Sequence, residues 1–296
     1  MGFIGCLLIL AERVYASALT SDAGWGCSVR AVQSLLVECL IARVLGDVRD
    51  LTPLNSETMK IVNMFADRPS APLSLHRFIE EGQKMLPREN SLWFGPTSAA
   101  QVFAKIAEPS LLGGVGVLCF PDGTVYADQV AKEFEGSPGG VILLISRKLG
   151  SEAQIDVERY KTAILNLFLI PYFRGIAGGE TTTAAYYFPA ACDDGLYYLD
   201  PHRLVQPALT EDEPGSLTQE RVLRMSWTRL NPSITFGFFL QSPEIFKQLM
   251  TSIDSKLAEF ADTQPNYKGL DFVSLSDDDH DWAYAVKEEE GPQGVF

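Results

Sequence analysis

The sequence predicts an α+β fold, a helical region packed on a mostly antiparallel sheet, in one domain over residues 1–261 with an acidic, flexible tail over 262–296. Three observations carry this. Stretches with helical apolar spacing crowd into the first hundred or so residues, and β-branched or aromatic runs bounded by Gly and Pro follow them. Two of the aromatic runs are joined through an Asp-Asp-Gly turn, as in an antiparallel hairpin. The 296 residues, 46% of them hydrophobic, suffice for a sizeable core, and neither an internal repeat nor a linker interrupts the chain before Asp262.

Met1 to Leu10 is apolar but lacks a basic flank and is too short to span a bilayer. It reads as a buried strand or helix of the domain, or as an imperfect gene start. Position 6 is Cys, which does not fit an N-myristoylation signal. Val29, Val32, Leu35, Leu36, Cys39, Leu40 and Val44 then predict a helix over Cys27–Leu45, with Gly46 as its stop. Further helices are expected at Ser56–Ala66, at Leu73–Glu81 and, after the Gly95-Pro96 start, through Ala107. Val115–Phe120 and Val141–Ile145 read as central strands, and Asp156–Phe168 as a helix closed by Pro171. Ala184–Pro189 and Gly195–Asp200 form the expected hairpin. Ile234–Leu240 follows as a core strand and Pro243–Phe260 as the last helix.

A net charge of −14 argues against nucleic acid, whose phosphates need a basic surface. Half of it lies in the tail: Asp271 to Glu290 holds eight acidic residues and one lysine. The five cysteines (Cys6, Cys27, Cys39, Cys119, Cys192) are scattered without a Cys-x-x-Cys pair. Neither a disulfide framework nor a metal site is expected, which suits a reducing, cytoplasmic setting. Cys6, Cys39 and Cys119 sit in apolar runs, as small hydrophobes do.

Cys27 differs from these. It opens a helix after Thr20-Ser-Asp-Ala-Gly-Trp-Gly, where Gly24 and Gly26 permit a sharp backbone path and Ser21 or Asp22 offers a capping oxygen. A sulfur there faces the positive end of the helix dipole, which favours thiolate over thiol, so Cys27 reads as a nucleophile. Of the three histidines, His76 reads as a helix-surface or core residue and His280 as part of the solvated tail. His202 stands in Tyr198-Leu-Asp-Pro-His202 at the end of the hairpin's second strand. Residues two apart on a strand share a face, so Asp200 and His202 would project together, with Leu199 turned away. The carboxylate can orient the imidazole, and the ring's other nitrogen can take the Cys27 proton and later protonate a leaving amine.

These motifs resemble those of the autophagy-related cysteine peptidases, the autophagins, over most of the chain. The matching blocks are Thr20–Cys27 with Arg30 and Gln33, Leu92-Trp-Phe-Gly-Pro-Thr97, Gly175-Ile-Ala-Gly-Gly179 and Tyr198–His202 with Gln206-Pro-Ala208. Arg224-Met-Ser226 and Asn231-Pro-Ser-Ile234 with Gly237-Phe-Phe239 complete the set. The ubiquitin-fold modifier peptidases share the Gly-Trp-Gly-Cys start and the Asp-Pro-His pair, but Gln206–Ala208 and Arg224–Ser226 favour the autophagy family. The resemblance implies a papain-like fold, no cofactor, and a Cys27, His202 and Asp200 triad cleaving after the C-terminal glycine of a ubiquitin-like modifier. Both the precursor and the phosphatidylethanolamine conjugate would be substrates. It further implies a monomer that touches autophagic membranes only through its substrate.

By the same resemblance, Trp93 helps to form a slot that admits only glycine, and Gly178 and Gly179 belong to a lid loop. Glu180-Thr-Thr-Thr183 follows Gly179 where the family carries a proline. The family's oxyanion tyrosine comes from well upstream of the nucleophile. Here either Tyr15 takes that place, or the N-terminal segment is divergent or truncated and activity is impaired. In the tail, Phe272 and Leu275 stand three apart beside acids, a pattern suited to docking in paired apolar pockets of the modifier, or simply disordered. The competing reading is a catalytically weak or silent binder of a ubiquitin-like protein.

Overall fold

The computed structural model describes residues 22, 24–46, 56–86, 94–151, 154–181, 184–201 and 222–263, with the side chains from 254 onward left aside. Four helices come first: α1 (Cys27–Leu45), α2 (Ser56–Asn63), α3 (Leu75–Met85) and α4 (Pro96–Ile106). β1 (Val115–Phe120), α5 (Ala127–Gly136), β2 (Gly140–Lys148) and α6 (Val157–Leu167) follow. The chain continues with β3 (Phe173–Thr181), β4 (Ala184–Cys192), β5 (Gly195–Leu199), β6 (Leu223–Met225), a 3-10 turn (Trp227–Arg229), β7 (Ser233–Leu240) and α7 (Pro243–Thr263). Local chemistry sets several of these starts. Ser74 Oγ accepts the Arg77 amide at 3.3 Å, Asp156 Oδ1 accepts that of Arg159 at 3.1 Å, and Pro96 occupies the first turn of α4.

The strands form one seven-stranded sheet in the order β1-β2-β7-β3-β4-β5-β6. Only β1 and β2 run parallel; every other neighbouring pair is antiparallel. The α+β expectation therefore holds, with three corrections. First, β1 is an edge strand, because β1, α5 and β2 make a crossover unit whose helix was not predicted. Its apolar stripe, Ala127, Val130, Ala131 and Phe134, is only two turns long, and Val130 is its one buried residue. Second, Gly175 to Gly179 lie inside β3, a central strand, instead of a loop.

Three glycines lower strand propensity, yet close packing requires two of them. Gly175 has φ +117°, and a Cβ there would collide with the Phe188 carbonyl. A Cβ on Gly178 would stand 2.7 Å from Ile234 Cγ2.

Third, helices cover both faces of the sheet. Ile142, Leu144, Ala177, Ala185, Tyr187 and Phe239 join the core under α1 to α4. Val141, Leu143, Ile176, Tyr186, Phe188, Phe236 and Phe238 join a second core with residues of α6 and α7. The side facing α1 is lined by small residues, and Gly237 lies directly against Leu35. The helix thus sits deep, with most of its residues buried, Arg30 and Gln33 included, and only Arg43 and Val44 exposed. Cys39, fully enclosed there, is the inert core thiol its neighbours predict; burial pushes its pKa well up, with Arg174 pulling the other way.

Candidate active site

Cys27 is the first residue of α1. Gly26 occupies the N-cap position and has no side chain to cap the helix. Gly24 makes the approach with φ +87°, a left-handed conformation that suits glycine. Gly26 matters for a different reason: its φ is −82°, but a Cβ would stand 2.5 Å from that of Asp22, whose side chain crosses over it. The expectation that Asp22 caps the helix is corrected. Its carbonyl accepts the amides of Trp25 at 3.2 Å and Gly26 at 2.9 Å, while its carboxylate takes Arg30 Nε at 2.8 Å. Ser21, the other capping candidate, lies outside the described residues.

Arg30 ties this turn to the rest of the fold. Its Nη2 donates to Asp67 Oδ2 at 2.8 Å and its Nη1 to Gln33 Oε1 at 3.2 Å; Gln33 Nε2 then donates to the Leu73 carbonyl at 2.9 Å. Burial works to lower the Arg30 pKa, but Asp67 and then Asp22 outweigh it and hold the guanidinium charged. Asp67 was not foreseen. The available signal is Arg30 itself, since a cation on the buried face of a helix demands a counter-charge. Nothing local says which acid supplies it.

Asp200 lies one residue beyond β5, in which Leu199 pairs with Tyr187. The strand rule invoked for Asp200 and His202 therefore stops short of both. Leu199 packs on the core that contains Trp25 and Cys27, so the end of β5 and the start of α1 share one hydrophobic cluster. On the other face, the Tyr186 and Tyr198 rings lie 4.6 Å apart. Tyr186 donates to Glu180 Oε2 at 3.3 Å, and Arg229 Nε donates to Glu180 Oε1 at 2.8 Å. Burial, then the charges of Glu180 and Asp200, push the Tyr186 phenol well up, so Asp200 is within electrostatic reach of this cluster.

Gly178 and Gly179 are buried in β3, and the Gly179 carbonyl accepts the Asn231 amide at 2.7 Å. Tyr15, Trp93, His202, Phe272 and Leu275 lie outside the described residues. Among the described residues, no group of three or more His, Cys, Asp or Glu could hold a metal ion, and no helix is long and apolar enough to cross a membrane.

The profile of the Peptidase C54 catalytic domain matches residues 11–252. The chain belongs to the Peptidase C54 family. The autophagy-peptidase resemblance read from the motifs is thereby borne out. Among similar C54 proteins, the probable cysteine protease atg4 of Sclerotinia sclerotiorum is 29% identical over 295 residues, covering 91% of this chain and 66% of that protein. The cysteine protease atg4 of Emericella nidulans is 30% identical over 261 residues, 83% of this chain and 64% of its own length. The Schizosaccharomyces pombe probable cysteine protease atg4 is 34% identical over 233 residues, 76% and 67% respectively. This C54 chain thus spans about two thirds of the length of the curated relatives it matches.

Proposed function

We propose that this chain is a thiol peptidase acting on an autophagy ubiquitin-like modifier, and that it cuts after the modifier's C-terminal glycine. The observation that carries the reading is the placement of Cys27 at the N-terminus of a helix packed in the core, behind a turn braced by Asp22 and Arg30. In this reading His202 accepts the Cys27 proton, and the sulfur attacks the glycine carbonyl carbon. The oxyanion is held by the Cys27 amide, with Tyr15 as the second donor. The tetrahedral adduct collapses, the C–N bond breaks, and His202 returns its proton to the leaving amine. Water, deprotonated by His202, then attacks the thioester and releases the glycine carboxylate and the thiol. Asp200 orients the imidazole and stabilises its charged form.

The leaving amine is a peptide in the precursor and phosphatidylethanolamine in the lipid conjugate. Trp93 flanks the path of the glycine, which passes where a Cβ would not. The peptidase body is residues 1–261, and it works as a cytoplasmic monomer that meets membranes through its substrate.

A modifier carrying a vinyl methyl ester in place of its terminal glycine carboxylate tests the assignment. A covalent adduct on the Cys27 peptide is expected. No adduct and no precursor cleavage, with retained binding, would leave the silent-binder reading in its place. Phe272 and Leu275 supply a second contact to the modifier. Deleting residues 271–296 is expected to weaken modifier binding by about tenfold, or about 1.4 kcal/mol, without abolishing cleavage of a small glycine-ended ester. Isothermal titration of both forms checks this, and unchanged affinity would discard the tail contact.

A further inference from the structure

We infer that Arg30 and Asp67 are positioning residues for Cys27, holding the turn that aims its sulfur and its backbone amide. The inference rests on the reading of Cys27 as the reacting nucleophile.

The connection is continuous. Asp67 lies in the segment between α2 and α3, 37 residues from Arg30, and is joined to it at 2.8 Å. The same guanidinium reaches Asp22 at 2.8 Å, and the Asp22 carbonyl receives the amides of the two residues immediately before Cys27. Arg30 stands one turn beyond Cys27, and side chains on a helix lean toward its N-terminus, which carries the guanidinium back toward the turn. Its planar fork can hold two carboxylates at fixed angles, which a lysine ammonium cannot. Gln33 binds the Leu73 carbonyl, and the Leu73 amide in turn donates to the Met64 carbonyl at 2.8 Å. The segment bearing Asp67 is therefore tied to α1 at Asp67 and at Leu73, and closed on itself by the Leu73–Met64 bond.

Asp22 is where this scaffold meets the chemistry. Its side chain lies over Gly26 so closely that any Cβ would collide with it, so displacement of Asp22 displaces the residue before Cys27. Small shifts of a reacting group are costly: an error of about 1 Å can lose on the order of a hundredfold in rate. Asp67 acts on the nucleophile turn through Arg30 and Asp22.

The test is Asp67→Asn, which keeps the shape and removes the charge, beside Val62→Ala, which opens a cavity in α2 and leaves the charged chain intact. At a temperature where all forms are folded, Asp67→Asn is expected to lower kcat on a modifier precursor by about 10- to 100-fold with KM within about threefold. Iodoacetamide labelling of the Cys27 peptide, followed by mass spectrometry, is expected to slow by about fivefold or more. Val62→Ala is expected to leave both within about twofold. If Asp67→Asn does not fold, Asp22→Asn, at a site with 32% side-chain exposure, gives the same readout. Equal kcat and equal labelling in the charge variant and the cavity variant would overturn the inference. If wild type cleaves no precursor, the peptidase reading fails separately, and the labelling pair still decides the positioning role.

Discussion

Cys27→Ala is expected to lower precursor cleavage by at least about 10⁴-fold while the protein stays folded and still binds the modifier. Removing the nucleophile of a hydrolytic triad abolishes the covalent route, and the residual rate comes from binding and oxyanion contacts alone. The substitution suits its site. Cys27 is 6% exposed at the first position of α1, and alanine fits there with the best helix propensity of any residue. Loss of the sulfur leaves a small void, so the melting temperature should move by only a few degrees. Cleavage followed by mass spectrometry, with modifier affinity measured in parallel, separates the two effects. Retained cleavage would remove Cys27 from the mechanism. Joint loss of cleavage and binding would show that the substitution had damaged the groove.

Arg30→Ala is expected to cost about 3 kcal/mol of folding stability, the low end of the range for removing one partner of a buried ion pair. Asp67 sets the size of the effect, since its side chain is 11% exposed and would be left without the guanidinium that offsets its desolvation. Asp22 is 32% exposed and can turn toward water, so its contribution is smaller. Urea unfolding at neutral pH measures the loss as a lower midpoint. A double replacement, Arg30→Met with Asp67→Leu, should recover part of it, because an apolar pair of similar volume avoids burying charge. If it does, stability and positioning separate: the apolar pair stays folded, but the Asp22 carboxylate loses its partner and the nucleophile turn is no longer braced. A loss below about 1 kcal/mol for Arg30→Ala would mean that the carboxylates rehydrate freely.

Much of the architecture can be read locally. Seven apolar residues at helical spacing predict Cys27–Leu45, which are the observed bounds of α1. Val115–Phe120 is likewise found as predicted, because a β-branched run between Gly and Pro leaves little other choice. The β4–β5 hairpin follows from its Asp-Asp-Gly turn. Its register slip between Tyr187 and Ala190 falls at Pro189, which has no N–H to donate. The readings that failed depend on distant neighbours. Gly175 to Gly179 read as a lid loop through the family resemblance, and the need for Gly175 and Gly178 in a strand shows only against Phe188 and Ile234. α5 is hard to read because its stripe, Ala127 to Phe134, spans only two turns and only Val130 in it is buried. β1 was placed centrally because apolar composition reports burial, which α4 and α5 supply as well as a neighbouring strand would.

At the candidate site the division is the same. The position of Cys27 at a helix start and the family to which the chain belongs were readable from short motifs. Their signals span only a few residues: helix spacing, turn chemistry and an acid two places before a histidine. Tertiary structure alone decided that Asp22 braces the turn instead of capping the helix, that Asp67 answers Arg30 across 37 positions, and that the end of β5 packs on the core that holds Cys27. Such pairings are set by which surfaces meet once the chain has folded, and sequence spacing carries no record of that distance.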